Sequence, residues 1–309
     1  MDRIGVVGCG LIGRAWAIVF ARAGHPVAAY DSDAAALAAS LALVDGALAE
    51  LARFGLLAEE PAAVRARIVA APDLAEAVRA CAYVQESVRE TVEAKRAIFA
   101  QLDRLAPPDC VLASSTSYIP ASAFSDGLPG RARCLVAHPV NPPHVVPVVE
   151  LCPAPWTAPE VLARTRALHA TAGQVPVVVR REIPGFLLNR LQAALVCEAI
   201  RLYEDGYASA EDIDRTVRDG LGLRWSFMGP LETIDLNAPA GVLDYARRYA
   251  ATMVEMDRAQ APREWSAQAL ARLDAERRAA VPADRLGERA AWRDRRLMAL
   301  AAHKRGQER

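Results

Sequence analysis

The chain has 309 residues, of which 53% are apolar and 6% aromatic, and this is enough for about two domains with substantial cores. Its 37 basic and 37 acidic residues give a formal net charge of zero, so no overall positive field would attract nucleic acid or an anionic membrane. The six cysteines are widely spaced without a metal-ligand pattern, and we find no signal peptide and no run of ~18 apolar residues. We expect a cytoplasmic protein with reduced thiols, no metal and a small-molecule ligand.

The first 31 residues show the pattern of a dinucleotide-binding unit. An apolar strand at residues 4–7 precedes the glycine-rich segment 8–13, an apolar helical run covers 15–23, and a second strand at 27–30 leads to Asp31. The strand before the glycines, the helix after them and the acid 18 residues beyond the last glycine distinguish this motif from an ordinary glycine-rich turn. The segment therefore predicts a bound dinucleotide.

Each glycine of this segment has its own expected task. Gly8 permits a tight turn, Gly10 lets the backbone approach the pyrophosphate, and Gly13 allows the helix to pack closely on the strand. Leu11 and Ile12 complete the segment, and free backbone N–H groups at this helix start would face the anion. We expect all five residues to bind the cofactor.

Two acids follow the second strand and bear on the choice of dinucleotide. Asp31 is placed to accept hydrogen bonds from the adenosine ribose hydroxyls, and Asp33 adds a second negative charge. No arginine stands beside them in the sequence to receive a 2′-phosphate. The pattern therefore favours NAD over NADP.

Beyond Asp31, helix and strand patterns alternate as far as Pro184. Predicted helices cover residues 34–54, 61–66, 74–80, 92–105 and 159–171, and predicted strands cover 68–70, 83–86, 111–114, 134–137, 145–151 and 175–179. This alternation is typical of an α/β fold with a Rossmann-type, doubly wound, mostly parallel sheet. Strand patterns largely vanish after Pro184-Gly185, so we place an NAD-binding domain at 1–184 and an all-helical C-terminal domain at 185–309.

An alcohol oxidised by NAD must lose its hydroxyl proton, and His138 is the histidine best placed to take it. It follows the predicted strand 134–137, at the edge of the sheet where a ligand binds, and histidine titrates near neutral pH. Glu150, twelve residues later, could return across a turn and orient the imidazole. His144 is a weaker alternative, and an ordinary loop histidine with a surface acid would give the same pattern.

The C-terminal segment 272–309 holds eleven basic and six acidic residues. Charge runs of this kind usually form a solvated helical face. A subunit contact or a patch for an anionic ligand would have the same composition.

Four separated motifs, in the right order and spread over both predicted domains, resemble the 3-hydroxyacyl-CoA dehydrogenase family. They are Ser114-Ser115-Thr116-Ser117, His138-Pro139-Val140-Asn141-Pro142, Glu150 and Pro184-Gly185-Phe186-Leu187-Leu188-Asn189-Arg190. The resemblance implies that His138 is the catalytic acid/base with Glu150 as its partner. It also implies that Ser117 and Asn189 hydrogen-bond the reacting oxygen, and that the helical domain forms a homodimer.

The same resemblance implies cofactor contacts near the predicted helix 92–105. Lys95 matches a cofactor contact of the family, and Glu90 stands shortly before the helix. The family often has Glu-Asn at this point, whereas this chain has Arg89-Glu90. We expect Glu90 and Lys95 to contact NAD.

Residues 220–233 resemble the branch of the family that contains lambda-crystallin and L-gulonate 3-dehydrogenase. This branch has extra residues before Met228, and Arg224 and Trp225 are among them. We expect both to bind substrate: Arg224 could clamp a free carboxylate, and Trp225 could hold a quaternary ammonium group. Pairing of Arg224 with Glu232 or Asp235, and packing of Trp225 in a core, are the structural alternatives.

The resemblance to this branch implies an NAD-dependent dehydrogenase that oxidises the 3-hydroxyl of a small free L-3-hydroxy acid, such as L-gulonate, to the 3-keto acid. L-carnitine dehydrogenase and 3-hydroxyacyl-CoA dehydrogenase are alternatives within the same family. A crystallin-like structural or binding protein with little turnover is the alternative of a different class.

Overall fold

A computed structural model describes residues 1–307, and the chain divides into two compact units. Residues 1–190 and the last helix from residue 290 onward form the first unit, and residues 191–289 form the second. The predicted second domain, 185–309, ends with two residues that lie outside the described ones. It also differs from the observed second unit at both ends.

The first unit is built on one eight-stranded sheet. Its strands β1 to β8 are Arg3–Val7, Val27–Tyr30, Ile68–Ala70, Cys81–Glu86, Val111–Ser114, Cys134–Pro139, Val148–Pro153 and Val175–Val178. Their order is β3-β2-β1-β4-β5-β6-β7-β8, with β1 to β6 parallel and β7 antiparallel to β6. The prediction of a doubly wound, mostly parallel sheet is confirmed, and the reversal of strand order beside β1 creates a crevice at the carboxyl ends of the strands.

Helices connect the parallel strands. In chain order, α1 to α7 are Leu11–Arg22, Ala34–Arg53, Pro61–Ala66, Leu74–Val78, Val92–Leu105, Ala121–Ser125 and Pro159–Thr171. Side chains cap the N-termini of α2 and α5. Asp33 accepts hydrogen bonds from the N–H groups of Ala35 and Ala36, and Thr91 accepts one from Ala94. These caps satisfy backbone donors that have no partner inside the helix.

The pairing of β6 with β7 determines the position of two predicted site residues. The two strands run antiparallel, and His138 lies directly opposite Glu150 in their register. Directly opposed residues of an antiparallel pair project to the same face of the sheet. The twelve-residue spacing between His138 and Glu150 is therefore the part of the chain that leaves β6, turns and returns along β7.

Buried apolar side chains form two clusters in the first unit. Alternate residues of a strand contribute to different clusters: Leu135 belongs to one, together with α1 and α2, and Val136 belongs to the other, together with α5. This alternation follows from the two-residue period of a strand. The sheet is thus covered by apolar contacts on both faces, as expected for parallel strands.

The last helix, α14 (Leu286–Gln307), packs against the first unit. Met298 is 3% exposed and joins the cluster that contains α1 and α2, and Arg305 donates a hydrogen bond to the carbonyl oxygen of Leu56. Its apolar stripe is therefore buried in the core of the NAD-binding unit. The assignment of all residues after 184 to one helical domain was wrong for this segment.

The second unit is helical throughout, as predicted. The boundary falls within α8 (Leu188–Glu204), and α9 to α13 are Ala210–Arg215, Gly222–Trp225, Pro230–Leu236, Val242–Ala259 and Ala267–Ala280, with a π-helical turn at Thr216–Leu221. The unit buries few side chains, and α12 buries none.

Among the described residues, α2 is the one helix long and apolar enough to cross a membrane by length and composition. The expectation that the sequence has no apolar run of ~18 residues was therefore wrong for this helix. The helix places Leu37, Val44, Leu48 and Leu51 in the core of the first unit. Because a core helix passes the same test, its length and composition are weak evidence for a membrane span.

Candidate active site

A cleft of about 540 Å³ lies at the carboxyl ends of the central strands. Its wall includes Gly8 and Gly10 after β1, Asp31 after β2, and Ser87 and Val88 after β4. These strands flank the point where the strand order reverses, which is where doubly wound sheets bind ligands. The cleft therefore lies where the sequence predicted the dinucleotide.

The three predicted glycines differ in what an added side chain would meet. Gly8 has a φ of +87°, and a Cβ there would lie 2.7 Å from the backbone of Ser87. A Cβ on Gly13 would lie 1.8 Å from the carbonyl oxygen of Gly8. A Cβ on Gly10 would meet no atom within 4 Å, so the space beside Gly10 is open to a ligand.

The start of α1 supplies donors to this open space. Gly10 is the N-cap and has no side chain to cap the helix, and the helix continues for 12 residues. Leu11 and Ile12 open its first turn, where backbone N–H groups lack helical partners and the helix dipole favours an anion. The residues present thus fit the pyrophosphate of NAD.

Asp31 and Asp33 have different structural roles. Asp31 lines the cleft, and its carboxylate accepts hydrogen bonds from the backbone N–H groups of Cys9 (2.8 Å) and Asp33 (3.1 Å). Asp33 caps α2. Asp31 is therefore the acid placed for the ribose, and its charge opposes a 2′-phosphate.

Lys95 lies in a buried ion pair. Its Nζ is 2.8 Å from Oε1 of Glu86, and the two side chains are 1% and 0% exposed. Burial raises the pKa of Glu86, although Lys95 and the hydroxyl of Ser114 stabilise its charged form. Lys95 also donates to the carbonyl oxygen of Val88, a residue of the cleft wall. Its ammonium supports that wall from behind, so the expected direct contact with NAD has no support in this geometry.

Glu90 holds the loop after β5, and its expected contact with the cofactor stays a prediction. Its carboxylate accepts hydrogen bonds from the hydroxyls of Thr116 (2.7 Å) and Ser117 (2.8 Å) and from the N–H groups of Ser117 and Tyr118. Burial alone raises its pKa, but these bonds outweigh burial and lower it. Sequence reasoning missed this contact, because nothing local joins residues 26 to 28 positions apart.

His138 and Glu150 form a buried pair. Nδ1 of His138 is 2.8 Å from Oε2 of Glu150, and the side chains are 6% and 2% exposed. The imidazole also packs on the ring of Phe186, with 5.6 Å between centroids. Within residues 1–307, Nε2 of His138 forms no hydrogen bond. The ring is thus held by one nitrogen and has the other available.

The second carboxylate oxygen of Glu150 is hydrogen-bonded to two backbone N–H groups, one just before α8 and one at its first residue. Oε1 accepts hydrogen bonds from the N–H groups of Leu187 (2.8 Å) and Leu188 (2.9 Å). Gly185 and Phe186, both at positive φ, form the turn that directs these donors. Burial raises the pKa of Glu150, but the bonds from His138, Leu188 and Leu187 outweigh it and hold the pKa below its ordinary value. Glu150 is therefore an ionised partner for the imidazole.

Asn189 and Ser117 are joined directly. Nδ2 of Asn189 donates a 2.7 Å hydrogen bond to the carbonyl oxygen of Ser117, and the Ser117 hydroxyl donates to Glu90. Because Asn189 follows Leu188 on α8, one chain of contacts runs from His138 through Glu150 and α8 to Ser117. The structure therefore brings together the four predicted catalytic residues, His138, Glu150, Ser117 and Asn189.

His144, the alternative base, lies elsewhere. It lines a different cavity, and its carbonyl oxygen accepts a 2.6 Å hydrogen bond from Arg22. Burial, followed by the charge of Arg22, lowers the pKa of His144 to about 4. Glu150 bonds to His138, so the geometry favours His138 over His144.

The two predicted substrate contacts belong to the second unit. Arg224 and Trp225 end the short helix α10, and the Trp225 side chain is 38% exposed. No ion pair joins Arg224 to Glu232 or Asp235, and the Asp235 carboxylate instead accepts from the N–H of Val242. This arrangement favours neither a loop-holding ion pair for Arg224 nor a core position for Trp225.

The fold and this site define a dinucleotide-dependent dehydrogenase with a Rossmann-type domain and a helical domain. The chain belongs to the 3-hydroxyacyl-CoA dehydrogenase family: the family's NAD-binding domain matches residues 3–183 and its C-terminal domain matches residues 185–280. It is accordingly an NAD-dependent oxidoreductase that acts on CH–OH groups. The predicted family and cofactor are confirmed.

Individual relatives extend this result over nearly the whole chain. The lambda-crystallin homolog of Bos taurus is 44% identical over 96% of this chain and 94% of its own length. The L-carnitine dehydrogenase of Streptomyces griseus subsp. griseus is 37% identical over 77% of this chain and 70% of its own. The solved structure of 5-formyl-3-hydroxy-2-methylpyridine 4-carboxylic acid 5-dehydrogenase, an NAD+-dependent dismutase, aligns over 97% of both chains with a TM-score of 0.84 and 27% identity.

Proposed function

We propose that the protein oxidises the 3-hydroxyl of a small free L-3-hydroxy acid, of the L-gulonate type, to the 3-keto acid. The observation that carries this proposal is the buried His138–Glu150 pair, with 2.8 Å between Nδ1 and Oε2. An ionised carboxylate at Nδ1 places the proton of a neutral imidazole on that nitrogen, which leaves Nε2 as the acceptor.

His138 acts as the acid/base. NAD, when bound, supplies the hydride acceptor for the carbon that is oxidised. Nε2 of His138 takes the hydroxyl proton, and the imidazolium is stabilised by the charge of Glu150, whose side chain is 2% exposed. In the reverse direction the same imidazolium returns the proton to the carbonyl oxygen.

Asn189 and Ser117 stabilise the reacting oxygen. Asn189 uses one N–H of its amide to hold the Ser117 carbonyl, and an amide nitrogen has a second N–H. This second donor has no partner among residues 1–307, so it is available to bind the substrate oxygen. Ser117 donates its hydroxyl to Glu90, so it contributes only after its O–H rotates from Glu90 to the substrate.

The choice of a free acid rests on Arg224. Its guanidinium makes no ion pair among the described residues, so it is available for a carboxylate that an acyl thioester lacks. The relative with the TM-score of 0.84 is by name a dehydrogenase of a pyridine carboxylic acid, which supports an acid as substrate class. Charge-assisted bonds of this kind contribute about 1.5–3 kcal/mol.

Comparison of four substrates tests the proposal. NADH formation is followed by absorbance with L-gulonate, L-carnitine, 3-hydroxybutyrate and a 3-hydroxyacyl-CoA, each at saturating NAD. We expect the highest kcat/KM for a free hydroxy acid. A kcat/KM for the acyl-CoA above that of every free acid would contradict the proposal.

L-carnitine dehydrogenase activity is the second candidate. Trp225 is 38% exposed, so its indole face could contact a quaternary ammonium group, and an L-carnitine dehydrogenase is 37% identical to this chain. Turnover of L-carnitine that falls on Trp225→Leu, with L-gulonate turnover unchanged or absent, would favour this candidate.

A crystallin-like role with little turnover is the candidate of another class. The 44% identity to a lambda-crystallin homolog supports it. The complete set of His138, Glu150, Ser117 and Asn189 argues against it, because packing alone does not require this polar network. NAD binding without NADH formation on any of the four substrates would favour the crystallin-like role.

We also propose that the second unit forms a homodimer. Its long helix α12 buries no residue, and apolar side chains including Leu243, Tyr249, Met253 and Val254 are exposed. Exposed apolar side chains that lie together on one helix are typical of a protein interface. Analytical ultracentrifugation should give twice the 33.2 kDa of one chain, and Met253→Glu should shift the protein to monomer. A wild-type monomer would contradict the proposal.

A further inference from the structure

A separate cavity of about 390 Å³ lies in the first unit, between the end of α1, the segment before β7 and the last helix α14. Leu56, Val145, Leu297 and Leu300 form an apolar part of its wall. It shares no lining residue with the dinucleotide cleft. The proposed reaction does not use it.

Basic side chains line the same cavity: Arg22, Lys304 and Arg305. Among residues 1–307, no carboxylate makes an ion pair with Arg22 or Arg305, which instead donate hydrogen bonds to the carbonyl oxygens of His144 and Leu56. Burial, followed by the like charge of Arg305, lowers the pKa of Arg22 to about 10. The charge of Arg305 therefore disfavours the ionised form of Arg22, and a bound anion would relieve this repulsion.

His144 adds an unsatisfied polar atom at the cavity. Its Nδ1 is buried without a hydrogen-bond partner among the described residues. Burial and the charge of Arg22 outweigh that of Asp294, so the pKa of His144 is about 4 and the ring is neutral at pH 7. Buried polar atoms without a partner are rare in native proteins, and a neutral imidazole can donate one N–H to a ligand.

An adjoining cavity of about 200 Å³ shares Arg22, Leu56 and Arg305. The two guanidinium groups therefore border open space on more than one side. The positive charge of Arg22 and Arg305, next to the apolar wall of the cavity, favours a ligand with an anionic head and an apolar body.

We propose that this cavity is a binding site for a small amphiphilic anion, with its carboxylate bound by Arg22 and Arg305 and its apolar body against Leu56, Leu297 and Leu300. Lys304 and Arg305 belong to the basic segment 272–309, for which the sequence left a solvated face, a subunit contact and an anion site as alternatives. The cavity assigns these two residues to the anion site.

Calorimetric titration of the full chain with octanoate, at saturating NAD so that the dinucleotide cleft is filled, tests the proposal. Arg305→Gln removes one charge, Leu300→Trp fills the apolar part while every charge remains, and Arg295→Gln is the matched control. Arg295 is an exposed arginine of the same helix that does not line the cavity. Circular dichroism and NAD binding verify that each variant is folded.

We expect one octanoate site with equal affinity in the wild type and Arg295→Gln. Arg305→Gln should weaken binding ten- to a hundredfold, the loss expected for one charge-assisted hydrogen bond, and Leu300→Trp should weaken it by at least as much. Inorganic phosphate has a negative charge without an apolar chain, and 1-octanol has the apolar chain without a charge. Both should bind more weakly than octanoate. Absence of octanoate binding, retention by either cavity variant within about threefold of the wild type, or equal binding of 1-octanol would overturn the proposal.

Discussion

His138 and Glu150 lie directly opposite each other on antiparallel strands, with 2.8 Å between Nδ1 and Oε2. The other oxygen of Glu150 accepts the N–H groups of Leu187 and Leu188. One carboxylate thus ties the imidazole to both the sheet and the start of α8. Because Asn189 is the next residue of that helix, any shift of Glu150 would displace both the proposed acid/base, His138, and the amide proposed to bind the substrate oxygen.

Glu150→Gln removes the charge of the partner and keeps its shape. The glutamine oxygen still accepts hydrogen bonds from one side of the residue, either from His138 or from the N–H groups of Leu187 and Leu188. A neutral amide does not stabilise the His138 imidazolium, so we expect kcat to fall about 10²-fold. Steady-state kinetics measure this fall, and calorimetry should show unchanged NAD affinity. Glu182→Gln is the matched control, since Glu182 accepts a hydrogen bond from the N–H of Ser122 outside the site. A Glu150→Gln enzyme as fast as this control would show that the charge is not needed.

Alanine at two neighbouring glycines should have opposite consequences. Gly13→Ala places a Cβ 1.8 Å from the carbonyl oxygen of Gly8, so it should lower the Tm. Gly10→Ala meets no protein atom within 4 Å, so it should leave the Tm unchanged and weaken NAD binding, because the methyl group occupies space expected for the pyrophosphate.

Gly46→Ala is the control for both, since Gly46 lies within α2 and a Cβ there would meet no atom within 4 Å. It should preserve NAD affinity and raise stability by up to about 1 kcal/mol. Thermal melting and calorimetric titration with NAD distinguish the three variants. Unchanged NAD affinity in Gly10→Ala would refute the cofactor placement.

Arg224→Met tests the carboxylate clamp. Loss of one charge-assisted bond should lower kcat/KM on the preferred free acid about ten- to a hundredfold and leave any acyl-CoA turnover unaffected. Arg218→Met is the control, because Arg218 pairs with Asp219 on the protein surface. If Arg224→Met retains activity on the free acid within about threefold, the clamp is absent.

Acid should destabilise the fold through His169. The ring is 0% exposed, lies against Trp16, Phe20 and Tyr83, and burial lowers its pKa to about 3. The unfolded chain therefore binds a proton below about pH 6.5 that the native chain refuses until about pH 3, so stability is full above that window and falls as the pH drops through it. From pH 7 to pH 5 this histidine alone should remove about 2 kcal/mol from the free energy of unfolding.

Urea unfolding at pH 7 and pH 5, for the wild type and His169→Gln, measures this dependence. The variant lacks the titrating group, so the decrease in its free energy of unfolding from pH 7 to pH 5 should be smaller than that of the wild type by about 2 kcal/mol. Equal losses in both proteins would show that His169 is not responsible.

Local patterns predicted the first unit well because its elements carry their own signals. The strand Val27–Tyr30 and the helices Pro61–Ala66 and Val92–Leu105 have the predicted bounds, and the glycine segment has the expected strand and helix on either side. The strand spacing also anticipated the contact between His138 and Glu150, because a single reversal joins neighbouring strands.

Contacts between distant segments could not be predicted in the same way. Lys95 has the sequence position of a cofactor contact but pairs with buried Glu86, and Glu90 holds the loop of Ser117. The last helix shows only a helical pattern, so its packing on the first unit through Met298 needed the three-dimensional structure. In each case the deciding partner lies on another element, and composition does not reveal it.

The most direct test of the central claim, proton transfer by His138, is the rate of NADH formation by His138→Gln on the best free acid at saturating NAD. Glutamine keeps a polar group beside Glu150 but does not accept a proton at neutral pH. We predict a fall in kcat of about 10²- to 10⁴-fold, with NAD affinity and Tm close to those of the wild type. A folded, NAD-binding His138→Gln enzyme with wild-type kcat would contradict the account.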